Sequence, residues 1–352
     1  MREFTHEAWP MRVVLRAGAS VTAVPDEVER LGLRRVLVVS GPRGAATART
    51  VADALGDACA GVHAEARMHV PADVADRAVE VVHAADADGC VAVGGGSAIG
   101  LGKVIALSTG LPLTAVPSTY SGSEMTPVWG LTEDGVKRTG RDPSVLPRSV
   151  VYDPELTRSL PVALTVTSGV NAVAHAAEAL YAPDASPLVA LTAEEGVRAM
   201  VDALPELAAS PVDLAARGRA LYGAWLCGAA LGATTMGLHH KLCHVLGGTF
   251  GLPHAETHTV LLPYVLAHNA PAAPAAMTSL GRALDTDDAP RALRELAVGL
   301  GAPRTLAELG LARADLTVAA RAAAEQAYPN PRKVTAEGVL DLLRAAYHGV
   351  RP

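Results

Sequence analysis

Four β-branched segments alternate with helical segments in the first part of the chain, and this alternation ends at Asp153-Pro154. Strands are predicted at residues 34–40, 89–96, 111–119 and 148–154, and helices at residues 44–56 and 98–108. Such alternation predicts a parallel sheet with helices on both faces. Beyond Pro154, long alanine- and leucine-rich segments have the apolar spacing of helices. We therefore predict an α/β domain over residues 1–155 and an all-helical domain over residues 156–352.

The composition is that of a globular protein, not of a disordered or nucleic-acid-binding one. Of the 352 residues, 50% are hydrophobic and 19% are charged, and the net charge is −6. This gives enough apolar mass for two cores and no basic surface for nucleic acid. No apolar run reaches the ~20 residues of a membrane-spanning helix, and no signal peptide is predicted. The four cysteines show no CxxC spacing, so we expect a cytoplasmic protein with reduced thiols.

A glycine-rich turn lies between a predicted strand and a predicted helix in VAVGGGSAIGLGK. Glycines let the backbone approach a phosphate, and a helix N-terminus presents free N–H groups and a positive dipole end. The spacing is not that of the GxGxxG fingerprint, so a tight structural turn is the alternative. The hydroxyl-rich segment PSTYSGSEMT follows the next strand, at the edge where parallel sheets bind ligands. The candidate cofactor-binding residues of the two segments are Gly94, Gly95, Gly96, Ser97, Ser118, Thr119 and Ser123.

The residues that follow the strand at 34–40 bear on the choice of dinucleotide. The sequence Ser40-Gly41-Pro42-Arg43 has no carboxylate at the position that commonly binds a ribose 2′-hydroxyl. A 2′-phosphate would not be repelled there, and Arg43 could approach it. The alternative is that Arg43 is a solvated surface arginine. We expect either NADH or NADPH to be used, with Ser40 and Gly41 as further cofactor-binding residues.

Five of the twelve histidines lie in GLHHKLCHVLGGTFGLPHAETH, residues 237–258. Residues four apart share a helical face, so His240 lies beside His244, and Asn171 lies beside His175 in SGVNAVAHAAEALY. His254 follows on a loop or turn. Structural packing explains His239 and His258 equally well, and His239 is expected to face away from His240. The candidate catalytic residues are therefore His175, His240, His244, His254 and Asn171.

Together these segments resemble the iron-containing, or group III, alcohol dehydrogenase superfamily over nearly the whole chain. That superfamily has a GGGS turn, a P-[ST]-T-x-x-x-S-E block, a D-x-x-x-H helix, and an H-x-x-x-H segment followed by L-P-H. The resemblance implies a Rossmann-like dinucleotide-binding domain and an all-α C-terminal domain, the fold also found in dehydroquinate synthase. It further implies that the family's metal positions correspond to Asn171, His175, His240 and His254.

Two departures from the superfamily pattern indicate one group within it. Asn171 replaces the metal-binding aspartate, and Gly100 replaces the aspartate of the GGGSxxD motif. Both changes resemble the maleylacetate reductases, as do GGGSAIGLGK, TYSGSEMTP, HHKLCHVLGG, LPHAETHT and YPNPR. The resemblance implies reduction of the carbon–carbon double bond of maleylacetate, a small dicarboxylate, to 3-oxoadipate in aromatic-compound catabolism or a related pathway.

The replacement by Asn171 also affects the expected role of a metal. An asparagine offers a neutral carbonyl where a divalent ion prefers an anionic or imidazole ligand. We therefore expect a site that works without metal, although His175, His240 and His254 could still hold zinc. Histidine suits proton delivery because its unperturbed pKa of about 6.5 lies near working pH.

The expected roles divide between proton chemistry and binding. The residues expected to act on the substrate are His244 as general acid, His254 or His240 as second donor, and His175 and Asn171 as the polar floor. The residues expected to bind the substrate are Tyr120, Lys241 and Arg332, while Lys137 is assigned to the cofactor or to a substrate carboxylate.

Three alternative functions stay open. A metal-dependent alcohol dehydrogenase or carbonyl reductase of the same superfamily could act on another small oxo compound. A dehydroquinate-synthase-like lyase would use bound NAD only transiently. A non-catalytic protein is disfavoured by the intact histidine set. No nucleic acid or membrane partner is expected, the resemblance implies a homodimer, and MRVVLRAG at residues 11–18 could offer an edge strand to a partner.

Overall fold

The computed structural model describes residues 4–7, 9–133, 136–325 and 328–352, without the side chains of Val136 and Lys137. The chain divides into two compact units. The α/β unit comprises Trp9–Leu160 and Val212–Leu221, and the helical unit is formed mainly by Pro161–Pro211 and Tyr222–Pro352. Within the described ranges, no helix is both long enough and apolar enough to cross a membrane.

The α/β unit is built on a parallel sheet of six strands. The strands of the unit are β1 (Arg12–Leu15), β2 (Val36–Val39), β3 (Cys59–His63), β4 (Gly89–Gly94), β5 (Leu113–Pro117), β6 (Val128–Glu133), β7 (Val136–Arg141) and β8 (Ser149–Tyr152). The sheet order is β1-β8-β5-β4-β2-β3, and β6 pairs separately with β7 in an antiparallel manner. Every residue of β2, β5 and β8 is buried, because a parallel sheet covered on both faces needs apolar side chains on both sides.

Helices follow the strands of the sheet in sequence. They are α1 (Ala19–Arg30), α2 (Ala45–Leu55), α3 (Ala72–Ala84) and α4 (Gly96–Thr109). Small and β-branched residues of α1 and α2 pack with the central strands into one hydrophobic core, which includes Ala23, Val24, Val51 and Val91. This core fixes the carboxyl ends of β2, β4 and β5, where the candidate cofactor-binding residues lie.

The helical unit contains the remaining helices. They are α5 (Val162–Tyr181), α6 (Pro187–Ala209), α7 (Leu214–Gly232), α8 (Leu238–Phe250), α9 (His254–Asn269), α10 (Pro274–Leu284), α11 (Ala289–Gly299), α12 (Asp315–Ala324) and α13 (Ala336–His348). The division between the two units falls inside α7, after Leu221. Helix α5 is buried continuously from Thr165 to Ala179, and it packs against α6 and α9. Its small alanine side chains permit that close packing, and Glu178 is the single charged residue in the buried stretch.

The predicted fold class is confirmed: a parallel α/β sheet is followed by helices. The predicted strands correspond to β2, β4, β5 and β8, and β1 is an edge strand as expected. The sequence analysis missed β3 and the β6–β7 pair. Most residues of β3 and all residues of β6 are only partly buried. The hydrophobic pattern that marks a strand in the sequence is therefore weak in these segments.

Candidate dinucleotide site and histidine cluster

The glycine turn between β4 and α4 is closely packed against neighbouring side chains. Gly94 has a φ of 144°, and a Cβ added to it would lie 2.9 Å from the Cβ of Ala98. A Cβ added to Gly95 would lie 3.0 Å from Cγ2 of Thr119. Helix α4 then begins at Gly96 with no side-chain cap among the described residues. The turn thus combines a backbone that requires glycine with an uncapped helix N-terminus, the features that fit a pyrophosphate.

The hydroxyl-rich segment lies directly beside this turn. The backbone N–H of Ser118 donates to the carbonyl oxygen of Gly94 at 3.0 Å. Thr119 faces Gly95, and a Cβ on Gly96 would lie 3.9 Å from the Oγ of Ser121. The structure therefore brings together the two segments that sequence analysis assigned to the dinucleotide.

Lys103 fixes the end of the hydroxyl-rich segment from within α4. Its side chain is 1% exposed. The ammonium donates to the backbone carbonyls of Ser123 at 2.6 Å, Thr126 at 2.7 Å and Val128 at 2.8 Å. Burial lowers the pKa of Lys103 to about 7, although the Glu124 carboxyl opposes that shift. Lys103 thereby ties the segment that carries Ser123 to the helix that follows the glycine turn.

The carboxyl end of β2 completes the candidate dinucleotide site. Ser40 is buried, and its hydroxyl oxygen has no hydrogen-bond partner among the described residues. Gly41 follows, where a Cβ would lie 3.2 Å from the carbonyl oxygen of Ala66. Arg43 is exposed in the short 3-10 turn Pro42–Gly44. Because β4 lies between β5 and β2 in a parallel sheet, the residues predicted to bind the cofactor after these three strands lie at the same ends of the strands.

Tyr120 and Lys137 are two further predicted ligand-binding residues of the α/β unit. Tyr120 is fully buried, and its hydroxyl accepts a hydrogen bond at 2.9 Å from Arg217, whose side chain is also fully buried. The second Arg217 nitrogen donates to the carbonyl of Leu160 at 3.1 Å. The contact with Arg217 helps to hold the hydroxyl-rich segment, and substrate binding by Tyr120 stays a prediction. Lys137 lies in β7, and its side chain is outside the described part of the structure.

Six histidine rings of the helical unit form one cluster. They belong to His175, His239, His240, His244, His254 and His258. His175 stacks on His240 with ring centroids 5.2 Å apart, and His258 packs edge-on against His254 at 4.4 Å. His244 stacks on His254 at 6.4 Å and lies 6.3 Å from His240. All four predicted catalytic histidines therefore meet in the same cluster.

Glu178 anchors the cluster from α5. One carboxylate oxygen accepts from Nδ1 of His240 at 2.6 Å and from the backbone N–H of Gly237 at 3.0 Å. The other accepts from the backbone N–H of His239 at 2.8 Å. Burial by itself would raise the pKa of Glu178, but the hydrogen bond from His240 and the nearby imidazoles outweigh burial and lower the pKa to about 2. The carboxylate is thus ionised, and it caps the start of α8 while orienting the His240 ring.

Polar atoms of the cluster remain open for a ligand. Oδ1 of Asn171, Nδ1 of His175 and Nε2 of His240 are buried and lack hydrogen-bond partners among the described residues. Burial, followed by the neighbouring histidines, lowers the pKa of His175 well below its usual range. Buried polar atoms without partners are uncommon and often mark functional sites. The cluster therefore offers a polar lining for a substrate.

The two predicted substrate cations differ in their exposure. Lys241 is partly buried on α8, one residue after His240. Arg332 is exposed, and its guanidinium donates to the carbonyl oxygen of His268 at 3.1 Å. Lys241 thus lies next to His240 of the histidine cluster, on α8. Arg332 uses one of its guanidinium nitrogens in a hydrogen bond to the backbone.

The metal positions implied by the sequence resemblance carry one amide side chain and three imidazole rings. Asn171 offers only a neutral oxygen, and the rings of His175 and His240 are stacked with 25° between their planes. Among described residues, one group of histidine, cysteine or acidic side chains has its ligand atoms within 4.8 Å of one another, and it is His239, Cys243 and His258. Thiolate sulfur is a soft ligand that favours zinc or copper, whereas imidazole also suits iron. This group contains none of the positions that the resemblance assigns to the family's metal. At those positions Asn171 offers a neutral oxygen in place of an anionic ligand, which weakens the fit to an iron ion.

Sequence reasoning missed several members of these sites. Glu178 lies seven residues after Asn171 and three after His175, so helical spacing could have placed it on the same face of α5. His239 and His258 were left as structural candidates, and the structure pairs them at 2.9 Å between Nε2 and Nδ1. Lys103 and Arg217 carried no sequence signal beyond being basic residues in apolar segments.

Comparison with known proteins agrees with this architecture. The iron-containing alcohol dehydrogenase family matches residues 10–154, and the C-terminal domain of the Fe-containing alcohol dehydrogenase family matches residues 165–347. A maleylacetate reductase from Burkholderia cepacia is 53% identical over 352 residues, covering 100% of both chains. One from Sphingobium indicum is 51% identical over 350 residues, covering 99% of both. The crystal structure of maleylacetate reductase from Agrobacterium tumefaciens has a TM-score of 0.96 and 50% identity, with full coverage of both chains.

The matches extend over both units of the chain. The protein belongs to the iron-containing alcohol dehydrogenase family and is an oxidoreductase. Within that family, its full-length similarity at 50–53% identity is to maleylacetate reductases.

Proposed function

We propose that the protein reduces the carbon–carbon double bond of maleylacetate to give 3-oxoadipate, with NADH or NADPH as hydride donor. The observation that carries the proposal is the cluster of six histidine rings, found in a chain 53% identical to a maleylacetate reductase along its full length. The glycine turn and the hydroxyl-rich segment support dinucleotide binding. The absence of a carboxylate after β2 supports the use of either dinucleotide.

The substrate determines what the side chains must do. Maleylacetate is a dicarboxylate whose double bond is conjugated to a ketone. The reduced nicotinamide, when bound, supplies a hydride to the alkene carbon remote from the ketone. Negative charge then develops on the ketone oxygen as an enolate, and the adjacent carbon takes up a proton. The protein must therefore stabilise an oxyanion and deliver one proton.

Histidine side chains serve both needs. His244 and His254 are the partly exposed members of the cluster, so they are the members most accessible to a substrate. We assign proton delivery to His244, with His254 or His240 as the second donor to the enolate oxygen. Donors of this kind are worth about 3–4 kcal/mol each in other enzymes. His175 and Asn171 complete the polar lining, because their buried atoms can accept or donate hydrogen bonds.

We further propose that this reaction needs no metal. The support comes from the donor set, because Asn171 offers a neutral oxygen at the position where the family pattern has an aspartate. An enolate can be stabilised by hydrogen bonds and by imidazolium charge, so the chemistry does not require a Lewis acid. Lys241 and Arg332 are proposed to bind the two carboxylates, with Lys137 as a further candidate.

The second candidate is a metal-dependent alcohol dehydrogenase or carbonyl reductase. It is favoured by the family itself, whose name refers to iron. The two candidates differ in substrate and in metal content, which makes them separable in one assay series.

The deciding experiment is a dinucleotide-oxidation assay. NADH and NADPH are each supplied with maleylacetate and, separately, with simple aldehydes and ketones, before and after treatment with a chelator. The proposal predicts turnover of maleylacetate that survives chelation, together with 3-oxoadipate as the product. Turnover of aldehydes alone, restored by iron or zinc, would establish the second candidate instead.

Two further expectations stay predictions. We propose a homodimer, supported by the edge strand β1, whose outer side has no partner strand within the described sheet. Light scattering coupled to size-exclusion chromatography measures this directly. The cytoplasmic location is likewise a prediction and can be tested by cell fractionation.

A further inference from the structure

His239, Cys243 and His258 form a group of potential metal ligands that adjoins the histidines proposed to act in catalysis. His239 and Cys243 are four residues apart on α8 and share one helical face, and His258 projects from α9. The three side chains are each at most 1% exposed. Their ligand atoms all lie within 4.8 Å of one another.

We propose that His239, Cys243 and His258 form a binding site for a soft cation such as Zn²⁺, Cd²⁺ or Cu⁺, and that its occupation inhibits the enzyme. This site is distinct from the family's metal positions. It shares no residue with Asn171, His175, His240 and His254.

The spacing of the three ligand atoms suits such a cation. Nε2 of His239 lies 2.9 Å from Nδ1 of His258 and 3.8 Å from Sγ of Cys243. Zinc bonds of about 2.0–2.1 Å to nitrogen and about 2.3 Å to sulfur imply separations of roughly 3.3 Å and 3.6 Å at tetrahedral angles. The two imidazoles would therefore move apart by about 0.4 Å, and the distance from Sγ of Cys243 to Nε2 of His239 would shorten by about 0.2 Å.

The identity of the ligands selects the class of cation. One thiolate and two imidazoles are favoured by Zn²⁺ and Cu⁺, and disfavoured by Mg²⁺ and Ca²⁺, which require oxygen ligands. On binding a divalent ion, the Cys243 thiol releases its proton to solvent and the sulfur bonds to the metal. The bound ion and thiolate together carry one positive charge. The ionised Glu178, which accepts from the backbone N–H of His239 at 2.8 Å, offsets that charge.

The two imidazoles hydrogen-bond to each other through the same atoms that would bind the cation. Their mutual hydrogen bond uses one nitrogen of each ring. The remaining nitrogens, Nδ1 of His239 and Nε2 of His258, are buried without partners among the described residues. A cation held by Nε2 of His239 and Nδ1 of His258 would replace their mutual hydrogen bond and would not pair these remaining nitrogens, so the proposal rests on the convergence of the three ligand atoms.

Inhibition follows from the packing of His258. Its ring lies 4.4 Å from that of His254 and 5.0 Å from that of His240, centroid to centroid. A displacement of about 0.4 Å at the metal site would therefore be transmitted to both candidates for the second donor to the enolate oxygen, since packed interiors do not absorb such shifts. Reaction geometry is sensitive to misplacement on this scale.

The test uses the full-length enzyme and Cd²⁺, which reports a thiolate ligand by an ultraviolet charge-transfer band. The ion is introduced by slow dialysis, because the site is buried. We expect one tightly bound Cd²⁺ per chain, the charge-transfer band, and at least a ten-fold loss of maleylacetate turnover. In Cys243→Ser the band and the inhibition should both disappear, while Cys59→Ser, at a partly buried cysteine of β3, should behave as wild type.

Several outcomes would overturn the proposal. A band that persists in Cys243→Ser places the ion on another cysteine. Binding without any band, lost in His175→Ala, places it at the family's positions. If Cys243→Ser does not fold, X-ray absorption of the zinc-loaded wild type decides, because a sulfur neighbour at about 2.3 Å is required and its absence refutes the site. Binding and the charge-transfer band are measured without substrate and do not depend on the proposed reaction, whereas the inhibition rests on it.

Discussion

The Glu178 carboxylate accepts a hydrogen bond from Nδ1 of His240 at 2.6 Å, and both side chains are buried. Because an ionised carboxylate can only accept, His240 carries a proton on Nδ1, the nitrogen that faces Glu178. Nε2 of His240, which is buried and has no partner within the described structure, is then the nitrogen directed to a ligand. Outer partners of this kind fix the orientation and tautomer of functional imidazoles.

Replacing Glu178 by glutamine should therefore lower kcat without weakening dinucleotide binding. The amide keeps the shape but removes the charge, and partners of this kind typically contribute about 10- to 100-fold to activity. We expect kcat to fall within that range, while the Kd for NADH stays within about two-fold of wild type. Steady-state kinetics and fluorescence titration measure the two quantities. The exposed Glu295→Gln is the matched control, and an equal loss in both variants would argue against a specific role for Glu178.

Replacing His244 by alanine tests the proposed general acid. Loss of a positioned proton donor typically lowers the rate by about 10²-fold or more. We expect that loss in kcat with maleylacetate, with NADH binding intact. His83→Ala, at a histidine in the last turn of α3, serves as the control. Near-wild-type turnover by His244→Ala would transfer the role to His254 or His240.

Gly95→Ala tests the phosphate cradle in the α/β unit. The added Cβ would lie 3.0 Å from Cγ2 of Thr119, so Thr119 or the turn must shift. Because a pyrophosphate needs close backbone approach, we expect the Kd for NADH to rise about ten-fold or more, equal to roughly 1.4 kcal/mol. In Gly299→Ala, a Cβ would have no neighbour within 4 Å, and binding should be unchanged. Equal NADH affinity in both variants would place the dinucleotide elsewhere.

Lys103→Met should weaken both the fold and dinucleotide binding. The substitution removes the ammonium from three backbone carbonyls, that of Thr126 in a buried contact and those of Ser123 and Val128 in partly buried ones. Hydrogen bonds to a charged group contribute about 1.5–3 kcal/mol each, so the free energy of unfolding should fall by at least about 2 kcal/mol. Urea denaturation measures that loss, and titration with NADH measures the effect on Ser123 and its neighbours. The exposed Lys333→Met should change neither value.

The buried histidines predict acid sensitivity. Burial lowers the pKa of His175, His239 and His258, that of His239 to about 3, whereas the neighbouring Glu178 opposes the shift at His239. Below about pH 6.5 the unfolded chain takes up protons that the folded protein does not. Stability from these groups is therefore fully present above that pH and falls as pH decreases, by up to about 1.4 kcal/mol per pH unit for each group.

The free energy of unfolding, measured in urea between about pH 7 and pH 5, should show this fall. His239→Gln should reduce the slope by up to one proton equivalent, because its side chain does not titrate in that range. An identical slope in wild type and variant would show that His239 is protonated in the folded protein.

Sequence analysis identified site residues that lie within one helical turn of each other, and it did not identify pairs that only tertiary packing brings together. Asn171 and His175, or His240 and His244, are separated by one helical turn, and such periodicity is visible in a single segment. Glu178, three residues after His175, lies on the same face of α5 by the same spacing, but a lone glutamate in a helix does not by itself indicate a buried partner. By contrast, the His239–His258 pair joins α8 to α9 across 19 residues, and only tertiary packing creates it.

The hydrogen bond of Tyr120 shows a second limit of sequence analysis, which is a partner far away in the chain. A tyrosine in a hydroxyl-rich loop is a reasonable ligand-binding residue, and nothing nearby in sequence indicates otherwise. Its hydroxyl is engaged by Arg217, 97 residues away. A buried guanidinium is uncommon in an alanine- and leucine-rich helix, but the sequence alone does not reveal which polar group satisfies it.

The grouping of Val212–Leu221 with the earlier α/β segment has a practical consequence for protein engineering. No single cut of the polypeptide yields two intact halves. A fragment ending at Leu160 would lack Arg217 and leave the Tyr120 hydroxyl buried without its donor. Exchanging the nucleotide-binding half between homologous enzymes would consequently need two crossovers, the second of them inside α7.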